Sequence, residues 1–220
     1  EEIAKAMGSG KSEISLEGAG CYELPKITTE SPEIQDELKK VDELCQAEIT
    51  YDFHGNEEKI GKEQIRKWIR RDENGDFYVS ESAAYDYLCE ISNKYDTINS
   101  YRDFYSSRGY WITLNPGSYG WGTDVDSEIE LLMDDIKNKR VTSREPIYYM
   151  TPYDYLDPNS PDDIGSTYIE IDLSGQYMWY YKDGALFIST PITSGTMSTG
   201  HGTPSGVYYI HNRLQNIVLV

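Results

Sequence analysis

The chain of 220 residues is short of cations: Lys and Arg number 20 against 38 Asp and Glu, a formal charge of −18. Residues 151–220 carry seven acids and two bases, so −5 of that charge lies there and −13 lies on residues 1–150. With no Lys/Arg stripe, neither part can neutralise a phosphate backbone or settle on anionic lipid through a basic face. Nucleic acid is thereby excluded as a partner. Long apolar runs are missing too. None approaches the roughly 18 residues of a membrane span, and the opening residues lack a basic-then-apolar signal pattern. Membrane attachment is therefore expected only through an N-terminal anchor outside these residues.

Cysteine is scarce: Cys21, Cys45 and Cys89. There is no C-x-x-C pair, and His54, His201 and His211 do not stand at ligand spacing beside the cysteines, so a structural zinc site is not expected. An odd count at irregular spacing argues against a disulfide framework, with a single Cys21–Cys45 bridge left open. Cys45 and Cys89 fall in helix-periodic stretches, where cysteine is usually a small core residue. Phenylalanine is as rare, 4 residues, whereas tyrosine supplies 20. A tyrosine buries its ring and keeps a hydroxyl for water or ligand, which suits half-exposed sheets more than it demands a ligand platform. At 38% hydrophobic, with 18 Gly and 9 Pro as punctuation, the chain is too apolar for disorder.

Periodicity gives the elements. Residues 1–30 read as a polar, Gly-rich lead-in with a short strand near Gly20–Leu24. Ser31-Pro-Glu33 is a helix start, followed by Ile34, Leu38, Val41 and Cys45 at helical spacing. Glu48–Phe53 alternates as a strand, and Lys62–Ile69 reads as a short helix. Ser80 caps a helix to Tyr95 with Ala84, Leu88 and Ile91 inward. Tyr101–Tyr105 and Gly109–Leu114 form a hairpin, a helix runs from Asp126 through Ile129, Leu132, Met133 and Ile136, and Arg144–Met150 reads as a strand. Thr151–Ser166, with three prolines and four acids, reads as a linker. Beyond it the texture is all-β: Tyr168–Leu173, Gln176–Tyr181, Ala185–Ile192, Gly206–Ile210 and Asn216–Val220. The expected fold class is α+β, a mixed domain over 31–150 followed by β strands over 167–220.

Two motifs fail on inspection. Gly8-Ser-Gly-Lys-Ser12 resembles the end of a phosphate loop, but Lys5 stands where its first glycine belongs, so a flexible segment is the better reading. Asp72-Glu-Asn-Gly-Asp76 resembles a calcium loop, but Phe77 and Ala83 replace the required glycine and glutamate, which leaves a hairpin turn. No nucleophile elbow occurs, and glycosidase carboxylates cannot be singled out among 38 acids.

A family resemblance is stronger. Asp163-Ile-Gly-Ser-Thr-Tyr-Ile-Glu-Ile-Asp172, Leu173-Ser-Gly-Gln-Tyr-Met-Trp-Tyr-Tyr-Lys-Asp-Gly184 and Gly200-His-Gly-Thr-Pro-Ser-Gly-Val-Tyr-Tyr-Ile210 resemble the opening of the L,D-transpeptidase (YkuD) catalytic domain. Residues 48–150 are similar to the peptidoglycan-binding-like domain that precedes it in Gram-positive members. The matches there are Tyr51-Asp-Phe, Trp68, Asp72-Glu-Asn-Gly, Lys94-Tyr-Asp-Thr97, Gly117-Ser-Tyr-Gly-Trp121 and Ser143-Arg-Glu-Pro146.

The resemblance implies an extracellular, wall-associated protein of cell wall biogenesis and cell shape, a monomer acting on peptidoglycan stem peptides and glycan without metal or organic cofactor. It also implies a cysteine acyl-enzyme and 3→3 cross-links. The family's nucleophile lies in a Ser/Thr-His-Gly-Cys signature that residues 1–220 do not contain, so no catalytic residue carries over. The chain is expected to be the N-terminal part of a longer enzyme, inactive alone. A non-enzymatic wall-binding or spacer module is the alternative. Candidate substrate-binding residues are Tyr119 and Trp121, set between glycines in the loop Asn115–Gly122, and His201 and Thr203 in the Gly-His-Gly-Thr-Pro segment. The plainer readings are that Trp121 plugs the sheet and that His201 shapes a turn.

Overall fold

A computed structural model describes residues 2–10, 13–15, 18, 31–153 and 163–212. The chain divides into two compact units, residues 1–43 and 44–220. In the first, α1 (Glu2–Gly8) replaces the expected flexible lead-in. Gly10, at φ +73, turns the chain out of this helix while its N–H bonds the Met7 carbonyl. Gly8-Ser-Gly10 is therefore a helix C-terminus, whose carbonyls face the wrong way for phosphate, and the phosphate-loop reading fails on geometry as well as on spacing. The second helix, α2 (Pro32–Leu44), starts with proline in its first turn as Ser31-Pro-Glu33 predicts. Its apolar positions are not buried, and Leu38 is 46% exposed.

The second unit grows from β1 (Glu48–Phe53), whose alternation puts Ile49, Tyr51 and Phe53 in the core. His54 and Gly55, at φ 42 and 92, form a two-residue turn with both residues left-handed. It returns the chain as β2 (Asn56–Ile60), antiparallel with Ile49 opposite Ile60. Then follow α3 (Lys62–Trp68), the hairpin β3 (Ile69–Arg71) and β4 (Phe77–Val79), and α4 (Glu81–Tyr95). The hairpin turn is tied by Asp72, whose carboxylate accepts the N–H groups of Asn74 and Asp76. Ser80 caps α4 by accepting the Ala83 N–H.

Next come the hairpin β5 (Arg102–Tyr105) and β6 (Trp111–Leu114), the short β7 (Gly122–Thr123), α5 (Val125–Lys137), β8 (Val141–Arg144) and β9 (Tyr148–Met150). Helices α4 and α5 pack together, and α5 covers β1 with Ile129, Leu132 and Ile136. The strand expected over Arg144–Met150 is confined to β9 at its end, and β8, which stops at Arg144, is a strand that the sequence reading did not anticipate. β8 pairs in parallel with β1, whereas β9 pairs with β7 in another sheet. Pro146 cannot donate to a ladder, and the Ile147 N–H turns to the buried Glu128 carboxylate at 2.8 Å, so the chain changes sheet there.

Glu128 is the hub of a buried charge cluster that staples β1, α5 and β8. Its carboxylate accepts from the Tyr51 hydroxyl at 2.6 Å and pairs with Arg144 at 2.5 Å. Arg144 also reaches Asp135 at 3.2 Å, and Asp135 pairs with Arg140 at 2.8 Å. Glu128 and Asp135 are offset by Arg144 and by the partly exposed Arg140, which also pairs with Asp134 at 2.6 Å, and such pairing is the condition under which charges survive burial. Burial, and after it the charge of Glu128, pushes the Tyr51 hydroxyl well above the usual tyrosine range, so it remains a donor.

The remaining strands form an antiparallel meander: β10 (Tyr168–Asp172), β11 (Tyr177–Lys182) and β12 (Ala185–Pro191), in spatial order. Asp183 and Gly184, both left-handed, make the tight turn that their sequence predicts. Gly206–Ile210 is not a strand. Gly206 stands at φ +147 and the Val207 carbonyl accepts the Tyr119 N–H at 3.2 Å, a single contact where a ladder was expected. Gly20–Leu24 and Asn216–Val220, read as strands, lie outside the described residues. The fold is α+β, and among the described residues the strands pair antiparallel except β1 with β8.

Candidate functional site

Among the described residues a polar constellation joins the β5–β6 hairpin to the β10–β12 sheet. Strand alternation sends Arg102 and Phe104 inward. Arg102 meets Asp163, only 2% exposed, with Nε 2.7 Å from one carboxylate oxygen and Nη2 donating to the other at 2.8 Å. The same Nη2 donates to the carbonyls of Thr97 at 2.9 Å and Tyr119 at 2.7 Å. The Thr97 hydroxyl donates to Asp163 and accepts the Trp121 N–H at 2.9 Å. Asp163, in the stretch read from sequence as linker, is thus a buried anchor. Phe104 meets Tyr168 edge-on at 5.6 Å.

At the hairpin tip the Ser107 N–H donates to both oxygens of Glu170 at 3.0 Å, and its hydroxyl donates to the same carboxylate while lying 2.8 Å from the Tyr181 hydroxyl. Arg108 pairs with Asp172 at 3.1 Å and lies over the Trp179 ring at 5.0 Å. The Gly175 N–H first, and then Arg108, hold the Asp172 carboxyl below the usual carboxylate range.

The loop Asn115–Gly122 rests on residues 205–207. Asn115 donates to the Ser205 hydroxyl at 2.5 Å. A side chain at Gly117 would run into the Val207 backbone, and one at Gly120, at φ +139, into Arg102 and Thr97. These glycines are required by close approach rather than by display of neighbouring rings. Trp121 is 7% exposed, stacked on His54 at 4.5 Å and 22° and against Tyr148 at 4.9 Å. Tyr119 is half-buried, its hydroxyl accepting the Tyr153 N–H at 3.0 Å. His201 is exposed with Nδ1 3.2 Å from the Thr199 hydroxyl, and the Thr203 hydroxyl accepts the Gly195 N–H at 2.9 Å. Thr203 lines an open hollow of ≈ 530 Å³ with Gly200, Gly202, Pro204 and Ser205. The fold brings the Tyr119 backbone to Val207, a few residues beyond His201 and Thr203, and turns Trp121 away into the core.

Among the described residues no three His, Cys, Asp or Glu side chains converge in a way that could hold a metal ion. Cys45 is buried and Cys89 half-buried on α4.

The order of these parts agrees with known families. Residues 27–143 match the family described as "Putative peptidoglycan binding domain", and residues 166–218 match the L,D-transpeptidase catalytic domain, YkuD. Among solved structures, the Ldtfm–avibactam carbamoyl enzyme is 31% identical, covering 81% of this chain and 68% of its own at a TM-score of 0.55. A cysteine-to-serine mutant of the Enterococcus faecium L,D-transpeptidase is also 31% identical, covering 80% and 68% at the same TM-score. The chain belongs to the L,D-transpeptidase family. A search of the curated proteins gives no match. In this L,D-transpeptidase chain the joint just described lies between the two family segments, and Arg102, Asp163, Ser107 and Glu170 carry it. Sequence reasoning missed them because a buried ion pair 61 residues apart leaves no periodic trace.

Proposed function

We propose that the protein is a peptidoglycan L,D-transpeptidase that forms 3→3 cross-links, as a monomer in an extracellular Gram-positive wall. The observation that carries this reading is the tandem of a peptidoglycan-binding segment and a YkuD segment on one chain. Residues 31–150 serve as the accessory domain, 151–166 as the connection, and 167–220 as the first strands of the catalytic β domain. The reaction is acyl transfer. A cysteine thiolate attacks the carbonyl of the third stem residue, the bond to the terminal D-alanine breaks, and D-alanine leaves with a proton from a histidine. An amine of a neighbouring stem then attacks the thioester, gives a proton to that histidine and expels the sulfur, which restores the thiolate. A carbamoyl enzyme and a cysteine-to-serine mutant among the relatives support covalent chemistry at sulfur. In this proposal Tyr119, His201 and Thr203 lie beside the substrate path, and Trp121 serves as a plug.

A second reading, a non-enzymatic wall-binding or spacer module, rests on the peptidoglycan-binding segment by itself. Incubating the intact protein with tetrapeptide-bearing muropeptides distinguishes the two. Release of D-alanine with 3→3 dimers, read by mass spectrometry, selects the enzyme, whereas retention on purified peptidoglycan without release selects the module.

A further inference from the structure

The β5–β6 hairpin has a second face that the joint does not use. The register pairs Tyr105 with Trp111 and Asp103 with Thr113, and all four side chains point to water. Of the four tryptophans, Trp68 and Trp121 are buried and Trp179 is half-covered, while Trp111 is 70% exposed. Tryptophan is mostly buried in folded proteins, so one held at a strand surface is informative. It is also held in place. Tyr105, 55% exposed, stands edge-on to it with ring centroids 5.4 Å apart, and the Tyr105 hydroxyl donates to the Gly109 carbonyl at 3.0 Å. One register step along, the Thr113 hydroxyl donates to the Asp103 carboxylate at 3.0 Å, which leaves most of that carboxylate's acceptor capacity facing water.

We propose that this outer face binds the sugar chain of peptidoglycan, with Trp111 and Tyr105 stacking on the apolar faces of the sugar rings and Asp103 accepting hydrogen bonds from hydroxyl or N-acetyl N–H groups. The proposal rests on the peptidoglycan reading above and assigns its glycan contact to named residues, within the segment matched to peptidoglycan binding. Chemistry selects the sugar. A glycan offers apolar ring faces and many donors, and needs no cation. Stem peptides end in carboxylates, and this face presents Asp103 and no Lys or Arg to receive them. Anionic lipid is disfavoured for the same reason. A folded protein partner needs about 800 Å² per side, far more than two rings and two polar side chains supply. Rings already fixed by packing lose little freedom on binding.

The test compares wild type with Trp111→Ala, Trp111→Phe and Asp103→Asn. Each is titrated with β-1,4-linked N-acetylglucosamine oligomers, followed by tryptophan fluorescence, and sedimented with glycan strands freed of stem peptides by an amidase and with intact peptidoglycan. Trp111→Ala should weaken oligomer binding by about tenfold or more, with Trp111→Phe retaining most of it and the unfolding midpoint unchanged. Equal binding by Trp111→Ala, or no binding of wild type to peptide-free strands, overturns the proposal. Wild-type retention on intact peptidoglycan alone would sink this site and leave the peptidoglycan reading standing. Retention on neither, together with no D-alanine release, would sink that reading as well.

Discussion

Trp121 sits where three segments meet: the β1–β2 turn through His54, the glycine-rich loop that carries it, and β9 through Tyr148. Its backbone is held as firmly as its ring, since the Trp121 carbonyl accepts the N–H groups of both Thr97 and Ile98. Trp121→Ala should therefore cost about 3–5 kcal/mol, read from urea unfolding. A loss below about 1 kcal/mol would show that the ring is not a packing element. A titratable residue makes a second prediction. The Lys94 ammonium and then the Tyr95 hydroxyl, each 2.6 Å from Glu58, hold its carboxyl below the usual range. The folded state thus binds this proton less tightly than the unfolded chain does. The stabilisation is complete above the unfolded value near 4.3 and is lost as pH falls through the lower folded value. Glu58→Gln should be less stable than wild type at neutral pH, with the gap narrowing between about pH 6 and about pH 3. A gap that stays constant with pH would contradict this.

Between elements, the hairpin joint offers two ion pairs of opposite character. Arg102–Asp163 is buried, so Asp163→Asn leaves a guanidinium without its counter-charge and should cost about 3–5 kcal/mol. Arg108–Asp172 is partly exposed and screened, so Arg108→Ala should cost about 0.2–1 kcal/mol. Chemical denaturation of the two variants tests the ranking, and the reverse order would mean that the joint is held from its rim. The same scale explains what could be read in advance. β1, α3, α4, α5 and the meander were legible because each has its own apolar period or cap. β2, Asn-Glu-Glu-Lys-Ile, has one apolar residue in five and is a strand only because the His54-Gly55 turn lays it beside β1. The break between β8 and β9 was signalled by Pro146, but the change of sheet was not legible, because the pull of buried Glu128 on Ile147 is a tertiary effect. Gly206–Ile210 has strand composition, but the loop at Tyr119 takes its carbonyl. Among the candidate site residues, the burial of Trp121 followed from its residue type. Trp111 could have been found as an outward position of a predicted hairpin, but alternation alone does not say which face of a two-stranded hairpin is covered.

For the whole molecule, the decisive chemical question is whether any thiol in residues 1–220 can act as an acyl acceptor. A cysteine becomes nucleophilic beside a cation, at a helix N-terminus or next to a base. Cys89 has none of these on its own helix: it lies within α4, where its helical neighbours at three and four residues are Tyr85, Asp86, Ser92 and Asn93. Cys45 is buried and directly follows the C-terminal end of α2, away from any helix N-terminus. Neither stands in a Ser/Thr-His-Gly-Cys sequence, and neither does Cys21. The 220-residue chain incubated with a carbapenem should therefore show no mass increase by intact-protein mass spectrometry, under conditions in which an L,D-transpeptidase bearing that signature is fully acylated. A stoichiometric adduct on any of the three cysteines would overturn their assignment as structural and move the search for the nucleophile into these residues. If no adduct forms, none of the three cysteines of residues 1–220 is an acylating thiol, and their assignment as structural stands.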